Sequence, residues 1–454
     1  MDNIKVSVIV YVLNDVTHIE SCVRSVMSQS LRELEIIIID GGSKDGTSEI
    51  LKKLQKEDTR IKIIDSEAGV GLQFNTGLRL ATGKYIGICE SDDYVQPDMY
   101  ERQYAVAEQY ELDVLRANIN RFCENDGREY SFSFDVSADR TMYDKLLYPQ
   151  EDARFLNLGT NCFWSGLYSR EFLLKNDILM NETKGASYQD TSFSFLTQMY
   201  AERAYVMSDA FYCYRIDNPN SSVNNPKKVA LLNVEYQLLK EKLKRRNLWE
   251  KYKETYWKWR VGGYFWAYDN ISYERQAEYL TMLYQDIRAE MEAETYSGSE
   301  LSKKECELCE KARQSVKVFN EFFEAYSAFR KCEEKRMNEI EIDADKIIFG
   351  AGNLGLLVNV FLGQKGKPAA AYIDNASWKW DKAFDGMMVL SPDEGVQKYP
   401  GAVYVITNAG HGQEMKEQLK RFGVTDERII ICDNYDLFIS HMLLPVLKKE
   451  AGDD

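Results

Sequence analysis

Basic charge is in short supply in this chain. Its 57 lysines and arginines face 72 aspartates and glutamates, a formal net charge of −15 over 454 residues. Nucleic acid is a poor partner for such a surface, because phosphate binding needs a basic footprint. Histidine is scarcer still, at three. Cys306 and Cys309 have a zinc-like CxxC spacing. No second pair answers them, so two cysteines on successive turns of a helix is the simpler reading. The nine cysteines are an odd number scattered among apolar neighbours such as Cys22, Cys89 and Cys213. That pattern predicts reduced thiols and no disulfide framework. No run of about 18 apolar residues exists to span a bilayer. MDNIKVSVIV has no signal-peptide layout and leads directly into a strand. The expected location is therefore cytoplasmic, with peripheral contact at the inner membrane face left open. The apolar tail Leu437–Leu447 is too short to span and is expected to dock on its own domain.

What is present is ordinary for a globular protein: 44% hydrophobic and 28% charged residues. The length allows about two to four domains. One local exception to the acidity is Lys240–Arg260, KEKLKRRNLWEKYKETYWKWR. It reads as a solvated helix face over aromatic core residues, or as a surface for a membrane or an anionic acceptor.

The stretch Gly83–Pro97, GKYIGICESDDYVQP, carries the strongest chemical signal. An apolar strand, Tyr85–Cys89, runs into Glu90-Ser91-Asp92-Asp93. Acids gathered at a strand end invite a counter-charge, and a divalent cation carrying a diphosphate is a natural one. A solvated turn capping the next helix is the competing reading.

Residues 6–115 alternate strand and helix. VSVIV, LEIIIID, IKIID and YIGIC are continuous apolar strands, separated by helical spacing over Thr17–Gln29, Gly71–Ala81 and Pro97–Tyr110. This predicts a mostly parallel sheet covered on both faces, with ligands at the carboxyl ends of the strands. Asp40 and Glu90-Ser91-Asp92 share that rim. Further on, REYSFSFDV alternates as a strand, and AYVMSD and FYCYRI read as two short strands. NCFWSGLYSREFLLKN and SYQDTSFSFLTQMYAE read as helices, and IDNPNSSVNNP as a loop. The expected domains are an α/β unit over 1–225, a helical region over 226–340 broken at Thr295–Ser299, and a Rossmann-like α/β unit over 341–454. In the last, KIIF is followed by GAGNLG, with Gly350, Gly352 and Gly355, and the next strand ends at Asp374, 22 positions past Gly352. Glycines between a strand and a helix let a phosphate approach the helix N-terminus, and an acid at this distance can hold a ribose. Tight strand–helix packing explains the same glycines without a ligand.

In order along the first domain stand VSVIVYVLN (Val6–Asn14), IIIIDGGSKDGT (Ile36–Thr47), Asn75 and Gly77 before ATGKYI, ESDD followed by Pro97, and Gln189-Asp190 with Phe193. This ordered set resembles the family 2 glycosyltransferases, whose fold is the GT-A fold. The resemblance implies inverting transfer of a sugar from a nucleotide-diphosphate sugar, UDP being the commonest. The implied acceptor is a hydroxyl of a glycan or lipid-linked glycan in surface polysaccharide synthesis. It implies Asp190 as general base and Glu90 and Asp92 as ligands of Mg²⁺ or Mn²⁺, with Asp93 a weaker candidate. It implies donor contacts from Tyr11, Val12, Leu13, Asp15, Asp40, Asn75 and Ser91. Trp164 is a candidate to pack on an acceptor sugar, with a core tryptophan as the alternative, and Arg215 is a candidate to reach a phosphate, with a plain surface loop as the alternative.

Several positions depart from the family pattern. Glu90 replaces the first aspartate of its DxD motif, and Tyr11 a proline at the nucleotide pocket. Gly41 replaces the second acid of DDGS, leaving Asp40 as the contact to base or ribose. Gln189 replaces a glutamate, so a raised pKa at Asp190 must come from elsewhere. Ser187 and Asp190 also have the spacing of a capping box, which gives Asp190 a purely structural alternative. A nucleotide-dependent oxidoreductase or sensor centred on GAGNLG is the competing function.

Overall fold

The computed structural model describes residues 4–125, 128–137, 139–152, 154–158, 162–185, 188–218, 231–270, 273–292, 301–338, 343–408, 410–432, 438 and 442–443. All of the loop expected over Ile216–Pro226 except its first three residues, the break at Thr295–Ser299 and most of the apolar tail lie outside these residues. The chain divides into two compact units. The first is Met1–Phe265 with Glu290–Ser302, and the second is Trp266–Ala289 with Lys303–Asp454. The helices between 226 and 340 are thus shared out between the two.

The first unit opens with β1 (Val6–Val12), α1 (Ile19–Met27), β2 (Leu34–Asp40), α2 (Thr47–Glu57), β3 (Ile61–Asp65), α3 (Val70–Leu80) and β4 (Tyr85–Glu90). β1 and β2 are buried at every position, as expected of parallel strands covered on both faces. The chain continues through β5 (Tyr94–Val95), α4 (Met99–Tyr110), β6 (Val114–Asn125), β7 (Arg128–Phe134), β8 (Leu146–Leu147), β9 (Leu167–Ser169), α5 (Arg170–Lys175), α6 (Asp190–Tyr200) and β10 (Ala204–Arg215). The sheet order is β3-β2-β1-β4-β9-β6-β10-β5, with β7 on β6 and β8 on β10.

Two expectations need correction. NCFWSGLYSREFLLKN is not one helix: a 3₁₀ turn at Phe163–Ser165 precedes β9, and only Arg170–Lys175 is helical. β9 pairs antiparallel with β4 and with β6, so it joins the parallel half of the sheet to the rest. Strand pairing overrides local helical spacing there. AYVMSD and FYCYRI form one strand, β10, whose pairing with β6 is interrupted between Met207 and Tyr212.

Helices α7 (Leu231–Arg245) and α8 (Trp249–Asn270) follow, then α9 (Tyr273–Glu292), α10 (Lys303–Gln314) and α11 (Val316–Asn338). The basic stretch over α7 and α8 turns its end cations inward. Lys240 and the fully buried Arg260 both bind the Glu290 carboxylate, at 2.6 and 2.9 Å. Among the described residues, no helix is long and apolar enough to cross a membrane.

The second sheet uses β11 (Lys346–Phe349), β12 (Ala371–Ile373), β13 (Ala383–Phe384), β14 (Met387–Leu390), β15 (Val403–Ile406) and β16 (Ile429–Ile431). Its helices are α12 (Asn353–Gln364), α13 (Pro392–Lys398) and α14 (Gly412–Arg421). The order β13-β14-β12-β11-β15-β16 is parallel except for the β13–β14 pair. From the apolar tail, Phe438 is buried and packs edge-on to Phe361 of α12.

Candidate active site

The register of the first sheet assembles the candidate residues. Tyr11 pairs with Glu90, and Val12 with Asp40, so the ends of β1, β2 and β4 form one rim. The Tyr11 hydroxyl donates to Glu90 Oε1 at 2.7 Å. Ser91 Oγ donates to Asp15 Oδ2 at 2.6 Å, and His18 Nδ1 lies 2.7 Å from Asp15 Oδ1. Burial works against ionised Asp15, but these bonds hold its pKa below the ordinary range. Leu13 is exposed at the rim, while Val12 is buried and its carbonyl accepts from Gln73 Nε2.

The acidic turn separates into tasks. Asp93 is buried. One oxygen accepts from the Tyr212 hydroxyl at 2.7 Å, the other from the Arg215 backbone N–H at 2.7 Å. The Tyr212 oxygen in turn accepts from the Glu90 N–H. Asp93 thus ties the turn to β10. Asp92 accepts from Asn218 Nδ2 at 2.6 Å. Burial, then the Asp92 charge, push Glu90 up to about 8, against the opposing pull of the Tyr11 bond. Burial also raises Asp92. Carboxylates that repel one another in a buried turn fit a cation shared with a diphosphate, for which one or two protein carboxylates suffice. Among the described residues, no group of three or more His, Cys, Asp or Glu is set to cage a metal with protein ligands alone.

Asp190 is the first residue of α6. Burial lifts its carboxyl to about 6. Its own backbone N–H and the buried Arg116 oppose the shift, and the Glu235 charge adds to it. The charge of Asp190 is in turn felt at Glu90 and Tyr11, so the base candidate and the acidic turn share one electrostatic environment. The cap of α6 is Gln189, which makes no side-chain cap bond. Ser187, the other half of the capping-box alternative, lies outside the described residues. Tyr188 has a left-handed φ of +64°, a conformation that costs energy in a non-glycine residue and gathers at functional sites.

Other candidates sit differently from expectation. Asp40 does not face outward: its oxygens accept from Gly42 N–H, Ser43 N–H and Ser48 Oγ, closing its own turn. Asn75 is buried, exchanging bonds with Met180 and donating to Glu182, so its amide braces the segment before Asp190. Trp164 is 4% exposed and stacks on Tyr212 and Tyr214 at 4.1 and 5.1 Å. That environment fits the core reading of Trp164. Arg215 lies over Phe122, and its Nε donates to the Asp92 carbonyl. It braces the acidic turn. Sequence reasoning missed Tyr212, Asn218, Arg116 and Glu235. The alternating FYCYR run was the single local sign of Tyr212.

In the second unit, the Asp374 carboxylate accepts from the Ala351 N–H at 2.9 Å and pairs with Lys379 at 2.8 Å. The acid closes the glycine loop itself. A Cβ on Gly355 would lie 2.2 Å from the Gly350 carbonyl oxygen, so close strand–helix packing alone requires that glycine. Gly350 has a φ of +128°, and Gly352 faces open space.

The family described as "Glycosyl transferase family 2" matches residues 7–175. EpsJ of Bacillus subtilis, described as an uncharacterized glycosyltransferase, is 32% identical over 241 residues, which are 51% of this chain and 67% of EpsJ. YibD of Escherichia coli, described in the same words, is 29% identical over 259 residues, 56% of this chain and 72% of YibD. The crystal structure of Staphylococcus aureus TarS 1–349 in complex with UDP-GlcNAc superposes with a TM-score of 0.50 at 22% identity. It covers 71% of this chain and 92% of that one. At that identity the likeness shows the fold, and the fold is GT-A.

Proposed function

Because the chain belongs to glycosyl transferase family 2, we propose that it transfers a sugar with inversion from a UDP-linked donor to a hydroxyl of a glycan or lipid-linked acceptor, in surface polysaccharide synthesis. The observation that carries this reading is Asp190, lifted to about 6 at the start of α6 and within electrostatic reach of the acidic turn. A carboxylate with such a pKa is ionised at neutral pH yet basic enough to accept a proton. TarS, solved with UDP-GlcNAc, supports a UDP-linked donor.

Asp190 takes the proton of the acceptor hydroxyl as that oxygen attacks the anomeric carbon, and the bond to the diphosphate breaks. Tyr11, Val12, Leu13, Asp15 and Ser91 border the donor, and Asp40 shapes the turn beside it. Glu90 and Asp92 would hold Mg²⁺ or Mn²⁺. Such an ion supplies Lewis-acid neutralisation of the leaving diphosphate. Asp93, Tyr212 and Arg215 keep the turn in place.

Asp190→Asn tests the reading. Turnover should fall about 10²–10⁴-fold with the melting temperature nearly unchanged. In the wild type the rate should rise with pH through about 6, as the base ionises. A large stability loss with residual turnover would sink the catalytic assignment.

A further inference from the structure

Glu235 lies on α7, beyond the residues matched by the family. It is 2% exposed, and two donors converge on it: Asn181 Nδ2 on Oε2 at 2.6 Å and Thr183 Oγ1 on Oε1 at 2.7 Å. Each donor reaches on toward α6. Asn181 Nδ2 also donates to Ser192 Oγ at 3.0 Å, and Thr183 Oγ1 accepts from Gln189 Nε2 at 2.9 Å. Gln189 directly precedes Asp190. The opposite side of the same segment rests on α3. A Cβ on Gly71 would stand 1.9 Å from the Asn181 carbonyl oxygen, Val70 N–H donates to the Gly185 carbonyl, and Asn75 grips Met180.

We infer that Glu235 is a positioning residue for the reaction: its buried carboxylate holds Asn181 and Thr183, and through Thr183 also Gln189, so that Asp190 is presented to the acceptor hydroxyl. The inference rests on Asp190 being the base. A carboxylate suits this place because it has two oxygens for two converging donors, and a buried carboxylate left without such donors is costly. Small displacements of a reacting group are expensive in rate, about 10²-fold for 1 Å. The catalytic unit therefore needs α7, and a boundary at 225 would remove part of its machinery.

The test uses the full chain and three variants: Asp190→Asn, Glu235→Gln and the double swap N181D/E235Q. Glu235→Gln keeps the shape but leaves one donor facing an NH₂ group; the swap lets Gln Nε2 donate to the new aspartate. Nucleotide release is followed from UDP-N-acetylglucosamine, UDP-glucose, UDP-galactose and GDP-mannose. Amide hydrogen exchange is read at Val70 and Thr191, which are bonded to the Gly185 and Tyr188 carbonyls. Glu235→Gln should lower kcat about tenfold or more with an unchanged donor KM, as loss of transition-state alignment does. Exchange should speed up at those two amides and not in β1 or β2, and the swap should restore both. Wild-type turnover by Glu235→Gln beside an inactive Asp190→Asn overturns the proposal alone. Wild-type turnover by Asp190→Asn overturns the base reading and the proposal together. Faster exchange throughout the sheet, without rescue by the swap, makes Glu235 merely structural and also overturns it.

Discussion

Asp92 and Asp93 are sequence neighbours with different bonding. Asp93 has both oxygens engaged by Tyr212 and the Arg215 backbone, whereas Asp92 accepts from Asn218. Asp92→Asn should therefore abolish manganese-dependent affinity for UDP in calorimetry while the fold persists. Unchanged UDP affinity in manganese refutes the ligand assignment. Glu35 shows the opposite case, a carboxylate that stabilises the fold. It is buried on β2, and burial alone would raise its pKa. Bonds from Lys62, Ser7 and Thr82 instead bring it from 4.5 to about 2. Its contribution is fully present above the unfolded value of 4.5 and is lost as pH falls toward 2. Thermal melts should show a loss on the order of 2 kcal/mol from this group over that window, less than the full shift because its partner Lys62 is half exposed and solvent screens the pair, absent in Glu35→Gln. At this scale the sequence was legible where chemistry is local. The acidic turn and Asp190 stand in recognisable strings. Tyr212 and Glu235 do not, because their partners lie 119 and 54 positions away.

Among the elements, hydrophobic patterning located β1 to β4 and α3 closely, since the strands are contiguous apolar runs, β1 and β2 buried on both faces, and α3 carries one buried face. It failed at Phe163–Lys175, where helical spacing is real but β9 is claimed by pairing with β4 and β6. β5 escaped notice because its two residues are made a strand by β10 alone. The same region places Trp164 in a three-ring stack with Tyr212 and Tyr214. Trp164→Ala should accordingly cost about 3–5 kcal/mol in urea denaturation, the range for emptying a packed aromatic site. Full stability with a raised acceptor KM would instead return it to the acceptor side.

Over the whole molecule, βα alternation announced both sheets, and the glycine run announced the turn after β11. What alternation does not carry is which helices belong to which unit: Glu290 serves the first unit through Arg260 and Lys240 although the residues just before it belong to the second. With Asp374 bonded to the glycine loop and to Lys379, NAD should leave the melting temperature of the full chain unchanged, whereas UDP with manganese should raise it by mass action. An NAD-dependent rise would assign the second unit a ligand. The first sheet is also a mechanical object. Its parallel half joins the remainder through β9, three residues long, and the bond from Tyr212 to Asp93 stitches the same junction a few positions away. Under tension the sheet has a seam there, and the stitch beside it is the acidic turn. A load that parts the seam would also strain the Tyr212–Asp93 bond, so the contacts that resist shear there include one that holds the acidic turn.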